Sequence, residues 1–165
     1  MNRRPSAGLI DSQSVKVSDR GGLSGYDGGK QIKGRKRHLL TDILGNLLEV
    51  VISAANLNDR QGAKVLMTKL ERQMALRLLK IRVDKGYRGD LDVWFAEQWQ
   101  IAQEVVEANA DQKGFAVQPR RWVVERTFAW FGKFRRLSKD YEVDPINSAG
   151  FIYLASIRLL LNRLV

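Results

Sequence analysis

The chain has 165 residues with no Cys and a single His, and 28 Lys plus Arg stand against 18 Asp plus Glu, a formal net charge of +10. That length suits one domain, residues 1–165, with a continuous core; the absence of Cys excludes disulfides and thiolate metal sites, and one His leaves almost no scope for imidazole chemistry. No run reaches the length of a membrane span or a secretory signal, so a cytoplasmic, nucleoid-associated protein without a membrane partner is expected, and the cationic excess points to salt-dependent binding of nucleic acid.

Leu9-Ile10-Asp11-Ser12-Gln13-Ser14-Val15-Lys16-Val17 is short, lacks a helical period and runs into glycines, which reads as a first strand. Asp is disfavoured inside strands. Asp11 therefore leaves two readings level: an Asx turn or solvent-facing edge residue, and a functional carboxylate. The stretch from about residue 18 to 36 carries six glycines between Gly21 and Lys36 and little apolar surface, so it reads as a basic, Gly-rich loop. Lys30, Lys33, Arg35, Lys36 and Arg37 make it the densest cationic run in the chain, a composition suited to phosphate contacts.

Leu39 to Ile43 and Leu47 to Ala54 are apolar, β-branched runs joined through Leu44-Gly45-Asn46, the pattern of a hairpin. After the capping residues Asn58 and Asp59, Ala63, Leu66, Met67, Leu70 and Met74 recur at helical spacing. Leu78 to Asp84 reads as a fourth strand that ends on an Asp and a Gly-containing turn, Lys85-Gly86-Tyr87-Arg88-Gly89. In α/β sheets the carboxyl ends of strands are where ligands bind. A helix capped by Asp90 follows, with Leu91, Trp94, Phe95 and Trp99 inward, and Ile101 to Val106 is a fifth strand. Arg120 to Arg136 reads as one amphipathic helix: Val123, Val124, Thr127, Phe128, Trp130, Phe131, Phe134 and Leu137 share an apolar half. Glu125 falls on the opposite half with Arg121, Ala129, Gly132 and Arg136. A surface Glu paired with its neighbours is the ordinary account of such a residue. Ser148 to Leu164 is apolar nearly all round, which predicts a last helix packed on most sides.

Asp11 on the first strand, Asp84 at the end of the fourth and Glu125 on the helix after the fifth form a candidate constellation. Carboxylates brought together repel unless cations neutralise them, and two divalent ions about 4 Å apart can activate a water or 3′-hydroxyl and stabilise the leaving oxygen of a phosphodiester.

The motifs Ile10-Asp11-Ser12-Gln13-Ser14-Val15-Lys16, Gly34-Arg35-Lys36-Arg37-His38, Asp84-Lys85-Gly86-Tyr87-Arg88-Gly89 and Arg120 to Trp130 resemble, in order and over nearly the whole chain, the catalytic domain of bacterial DDE-type insertion-sequence transposases. The insertion sequence five family is the nearest pattern. The resemblance implies a ribonuclease H-like α/β fold with a mixed five-stranded sheet flanked by helices, and metal-dependent DNA strand cleavage and joining. Asp11, Asp84 and Glu125 would be the catalytic and metal-binding triad for two Mg2+ or Mn2+ ions. Lys33, Arg35, Lys36, Arg37, Arg88, Arg120, Arg121, Lys133 and Arg136 would contact DNA. The implied partners are double-stranded DNA at element ends and target, other copies of the chain on that DNA, and a DNA-binding product of an upstream reading frame. No helical DNA-reading domain is expected ahead of the first strand. Two departures from the family pattern stand out: Gln118 takes the place of a Tyr, and Gly132 takes a basic position for which Lys133 and Arg136 are the substitutes. Two other functions remain open: a non-enzymatic DNA-binding fragment that inhibits transposition, and a nuclease or resolvase of the same fold.

Overall fold

A computed structural model describes residues 6–18, 21–106 and 122–164. The five expected strands all form: β1 (Ala7–Lys16), β3 (Ile32–Asp42), β4 (Leu47–Ala54), β5 (Lys80–Val83) and β6 (Ala102–Val105). A short additional strand, β2 (Gly25–Asp27), pairs with β3 and makes the sheet six-stranded. The sheet is mixed. β3 runs antiparallel to β1, β2 and β4, whereas β1, β5 and β6 are mutually parallel.

Helices cover both faces, as expected of a ribonuclease H-like fold. One face carries α1 (Asp59–Lys69), the short α2 (Arg72–Ala75) and α3 (Leu91–Trp99) over a core of Ile10, Leu40, Leu66, Met67, Ile81 and Phe95. The other carries α4 (Trp122–Gly132) and α5 (Pro145–Leu161) over Leu9, Leu39, Val50, Val124, Phe128 and Ile152. The alternation Leu9/Ile10 and Leu39/Leu40 between the two cores is the two-residue period of a strand buried on both sides. Where α1 crosses β3, Gly62 lies against the ring of the fully buried His38; a Cβ there would come within 2.1 Å of Cε1.

Four expectations are corrected. The segment up to residue 36 is not one loop, because β2 and the first residues of β3 are drawn from it. Gly34 permits this: a Cβ would meet the carbonyl oxygen of Val15 on β1 at 2.0 Å, so only glycine lets the strands pair there. The helix expected from Arg120 to Arg136 ends at Gly132 and gives way to a 3-10 turn, Arg135–Leu137; residues 120 and 121 lie outside the described residues. The pattern from Asn58 to Met74 divides at Leu70 into α1 and α2. The last helix starts earlier than expected, at Pro145 with Asp144 as its cap, and it is packed on one side only, since Leu154, Ile157 and Leu161 are exposed.

Candidate active site

β1 and β5 pair in parallel through Gly8 with Ile81 and Leu9 with Arg82. Carried two residues forward, that register sets Asp84 level with Asp11. β5 stops at Val83 while β1 continues to Lys16, so the two aspartates lie where the sheet opens on the carboxyl side of parallel strands. Alternation places Asp11 on the face of Leu9, the face that α4 covers. Glu125 is in the first turn of α4, exposed beside the buried Val124. Asp11 accepts a hydrogen bond from its neighbour Ser12 N at 2.8 Å. Asp84 accepts one from Gly86 N, also at 2.8 Å, and thereby starts the 3-10 turn Lys85–Tyr87.

Sequence reasoning overlooked a polar layer behind the aspartates. Ser12 Oγ donates to Asp59 Oδ1 at 2.8 Å, and Lys36 Nζ lies 3.0 Å from the same oxygen and 3.6 Å from Asp27 Oδ2. Ser14 Oγ donates to Asp27 Oδ2 at 2.5 Å. Burial works against the Asp27 charge, but the Ser14 hydroxyl, the Lys30 N–H and the two nearby ammonium groups hold its pKa below the usual carboxylate value. Tyr87 is buried. Burial, with Asp11 and Asp59 and to a smaller extent Asp84, pushes the Tyr87 pKa well up, and a hydrogen bond with the Ser12 hydroxyl only partly opposes this. The signal available in the sequence was the strand alternation itself: Ser12 and Ser14 are polar at positions that should face a core.

The expected phosphate contacts divide into three groups. Lys33, Arg88 and Lys133 are exposed, and Arg120 and Arg121 lie outside the described residues. Arg35, Lys36 and Arg37 are buried, contrary to expectation. Arg35 pairs with Asp140 at 3.2 Å and donates to the carbonyl oxygens of Leu23, Glu142 and Val143. Arg37 donates to the carbonyls of Leu137 and Lys139, and burial lowers its pKa despite Asp140 nearby. These side chains tie the segment after α4 to the sheet and have no surface to offer a phosphate. Arg136 does not share a helical stripe with Glu125, because the helix ends first; it is bound to Glu142 at 2.6 Å and stands over the Phe151 ring. Arg136 is exposed too but is held by Glu142, so Lys133 remains the candidate for the basic position after Glu125.

A model of the transposase DDE domain matches residues 2–160. The chain belongs to the DDE transposase family. A protein of Burkholderia cepacia described as a putative transposase for insertion sequence element IS402 is 30% identical over 137 residues, which cover 79% of this chain. The chain spans 64% of that relative's length.

Asp11 and Asp84 would offer a hard cation carboxylate oxygens where the sheet opens, one from β1 and one from just past the end of β5. Among the described residues no group of three Asp, Glu or His side chains is close enough to hold an ion by itself. Magnesium does not require such a cage, since it is held by one or two carboxylates and completes its octahedron with water and substrate phosphate. No helix among the described residues is long and apolar enough to cross a membrane.

Proposed function

We propose that this domain catalyses divalent-metal-dependent cleavage and strand transfer of DNA in the transposition of an insertion sequence, with Asp11, Asp84 and Glu125 as its carboxylate triad. The observation that supports this best is the parallel register of β1 and β5, which sets Asp84, just past the end of β5, level with Asp11 in the middle of β1, in a chain matched almost throughout by the DDE transposase domain. Asp11 and Asp84 would hold two Mg2+ or Mn2+ ions, and Glu125, carried by the helix over the same face, would complete one of them when DNA is bound. The ions supply charge neutralisation and activation of the attacking oxygen. In the first step a water oxygen attacks phosphorus and the 3′-oxygen leaves; in the second, that 3′-hydroxyl attacks a target phosphodiester and the target strand's own 3′-oxygen leaves. Lys33, Arg88 and Lys133, with Arg120 and Arg121, position the backbone through phosphate contacts that carry no sequence information themselves. Several copies would act together on double-stranded DNA, and end recognition would come from an associated helical domain such as an upstream-frame product.

Asp84→Asn tests the reading, with strand cleavage followed in Mg2+ or Mn2+ and DNA affinity measured at one fixed salt concentration. Lost cleavage with unchanged affinity is expected. Undiminished cleavage would overturn the triad, and a parent protein that binds DNA without cleaving it would favour the inhibitory-fragment function.

A further inference from the structure

On the face of α1 and α3 and along the sheet edge, surface cations are matched by acids: Arg60 and Lys64 face Asp90, and Lys80 and Arg82 share Glu104. The segments around α4 and α5 are different. From Arg126 to Leu137 and from Pro145 to Leu164 the sequence holds Arg126, Lys133, Arg135, Arg136, Arg158 and Arg163 without one Asp or Glu. Where the end of α4 passes the last turns of α5, an open groove of about 640 Å3 is lined by Trp130, Lys133 and Arg135 from one side and by Arg158 and Asn162 from the other. Lys133, Arg135 and Arg158 are exposed, and among the described residues no carboxylate pairs with any of them. Two more guanidiniums stand against the Trp130 wall. Arg126 lies 4.3 Å from the ring centres of both Trp122 and Trp130, and Arg163 lies 5.1 Å from that of Trp130. Their side-chain hydrogen bonds go to neutral oxygens, of Leu44 and Asn46. Burial, with the charge of Arg163, lowers the Arg126 pKa, as befits cations gathered without an anion to offset them. Like charges held around a concave surface focus a positive potential into it and favour a polyanion there.

We infer that the groove between the end of α4 and α5 is a second DNA-binding track, outside the carboxylate site, in which Lys133, Arg135 and Arg158 hold the phosphate backbone of duplex DNA. The inference rests on the proposed function only in taking DNA as the ligand. Stacking on the indoles keeps Arg126 and Arg163 in place, so their part of the potential is fixed before DNA arrives. Lys133 follows directly on the helix that carries Glu125, and it joins the groove to the phosphate contacts proposed there. Element ends and target duplexes present the same phosphates, so contacts of this kind draw no distinction between sequences.

The test compares Arg135→Ala/Arg158→Ala with Arg72→Ala/Arg77→Ala, which removes the same charge from the opposite face of the sheet, in and just after α2. Duplex binding by the whole chain is measured over a range of salt in EDTA. The slope of log affinity against log salt should fall by about 2 in the groove variant, for two lost phosphate contacts, and stay at the parent's value in the control. An equal loss in both variants overturns the track by reducing it to net charge. A slope unchanged in the groove variant also overturns it and leaves the groove to an acidic protein surface. A parent without salt-dependent duplex binding overturns the track and the DNA reading together; since no metal is present, the triad can fail its own test while the groove passes this one. If the groove variant does not fold, Asn162→Cys places a single thiol in the groove of this Cys-free chain. A photocrosslinker on that thiol should join to duplex DNA with equal yield whether the duplex ends in the element's terminal repeat or is unrelated in sequence. No crosslink, or one confined to the terminal repeat, overturns backbone binding in the groove.

Discussion

Replacing Arg35 with Ala separates a structural role for the basic run of β3 from a DNA-binding one. The guanidinium is wholly buried, pairs with Asp140 at 3.2 Å, and donates to three carbonyl oxygens at 2.6–2.7 Å. Its removal orphans those carbonyls. It also leaves the buried Asp140 carboxyl with hydrogen bonds from the Ser148 hydroxyl and the Glu142 N–H and with only the more distant Arg37 charge nearby. Breaking a buried pair from one side destabilises by about 3–5 kcal/mol. With a urea m-value of roughly 2 kcal/mol/M, the unfolding midpoint should fall by about 1.5–2.5 M. Arg35→Lys should recover little, because one ammonium cannot replace a planar fork that reaches several acceptors. DNA affinity of the folded fraction, measured against salt, should keep its slope in Arg35→Lys, whereas Lys33→Ala should reduce the slope by about 1 through loss of one phosphate contact. A stable Arg35→Ala protein with a diminished salt slope would refute the assignment of Arg35 to the core.

Gly62→Ala should destabilise despite alanine's better helix propensity, since its Cβ would meet a His38 ring that is fully buried and hydrogen-bonded to Ser53. Overpacking of about 1–3 kcal/mol exceeds the propensity gain of about 1 kcal/mol, and urea unfolding of Gly62→Ala with and without His38→Ala checks it, the second change being expected to relieve the first. Burial depresses the His38 pKa to about 4, with Asp59 opposing and Lys36 and Lys30 adding to the shift. The unfolded chain, at about 6.5, takes up the proton first, so this contribution to stability is complete above that pH and is lost as pH falls from about 6.5 to 4. Stability should therefore decline by up to about 1.4 kcal/mol per pH unit more steeply in the parent than in His38→Gln, and parallel curves would contradict the account.

The fold was legible where periodicity is strong. Ile10, Leu40, Leu66 and Phe95 fell into one core and Leu9, Leu39, Val124 and Phe128 into the other, as the two- and 3.6-residue periods require. The basic run was misread because charge usually marks surface, and most of the acceptors that hold Arg35 and Arg37 lie a hundred or more residues away, beyond any local pattern. The end of α4 at Gly132 was signalled only by that glycine, and the apolar stripe through Phe134 argued against it. Asp11 and Asp84 could be placed at strand positions from sequence. Their register, and the Ser12, Asp59 and Tyr87 layer behind them, come from parallel pairing between segments about 70 residues apart, which no window of sequence contains.

The claim that Asp84 ligates a cation is tested most directly by Asp84→Cys, which gives this Cys-free chain a single thiol. A thiolate is a soft ligand that serves the hard Mg2+ poorly and softer transition-metal ions better. Strand cleavage by Asp84→Cys should be absent in Mg2+ and recover in Mn2+, with DNA affinity the same in both. Equal cleavage in the two metals, or its absence in both while the parent protein cleaves, would contradict the assignment.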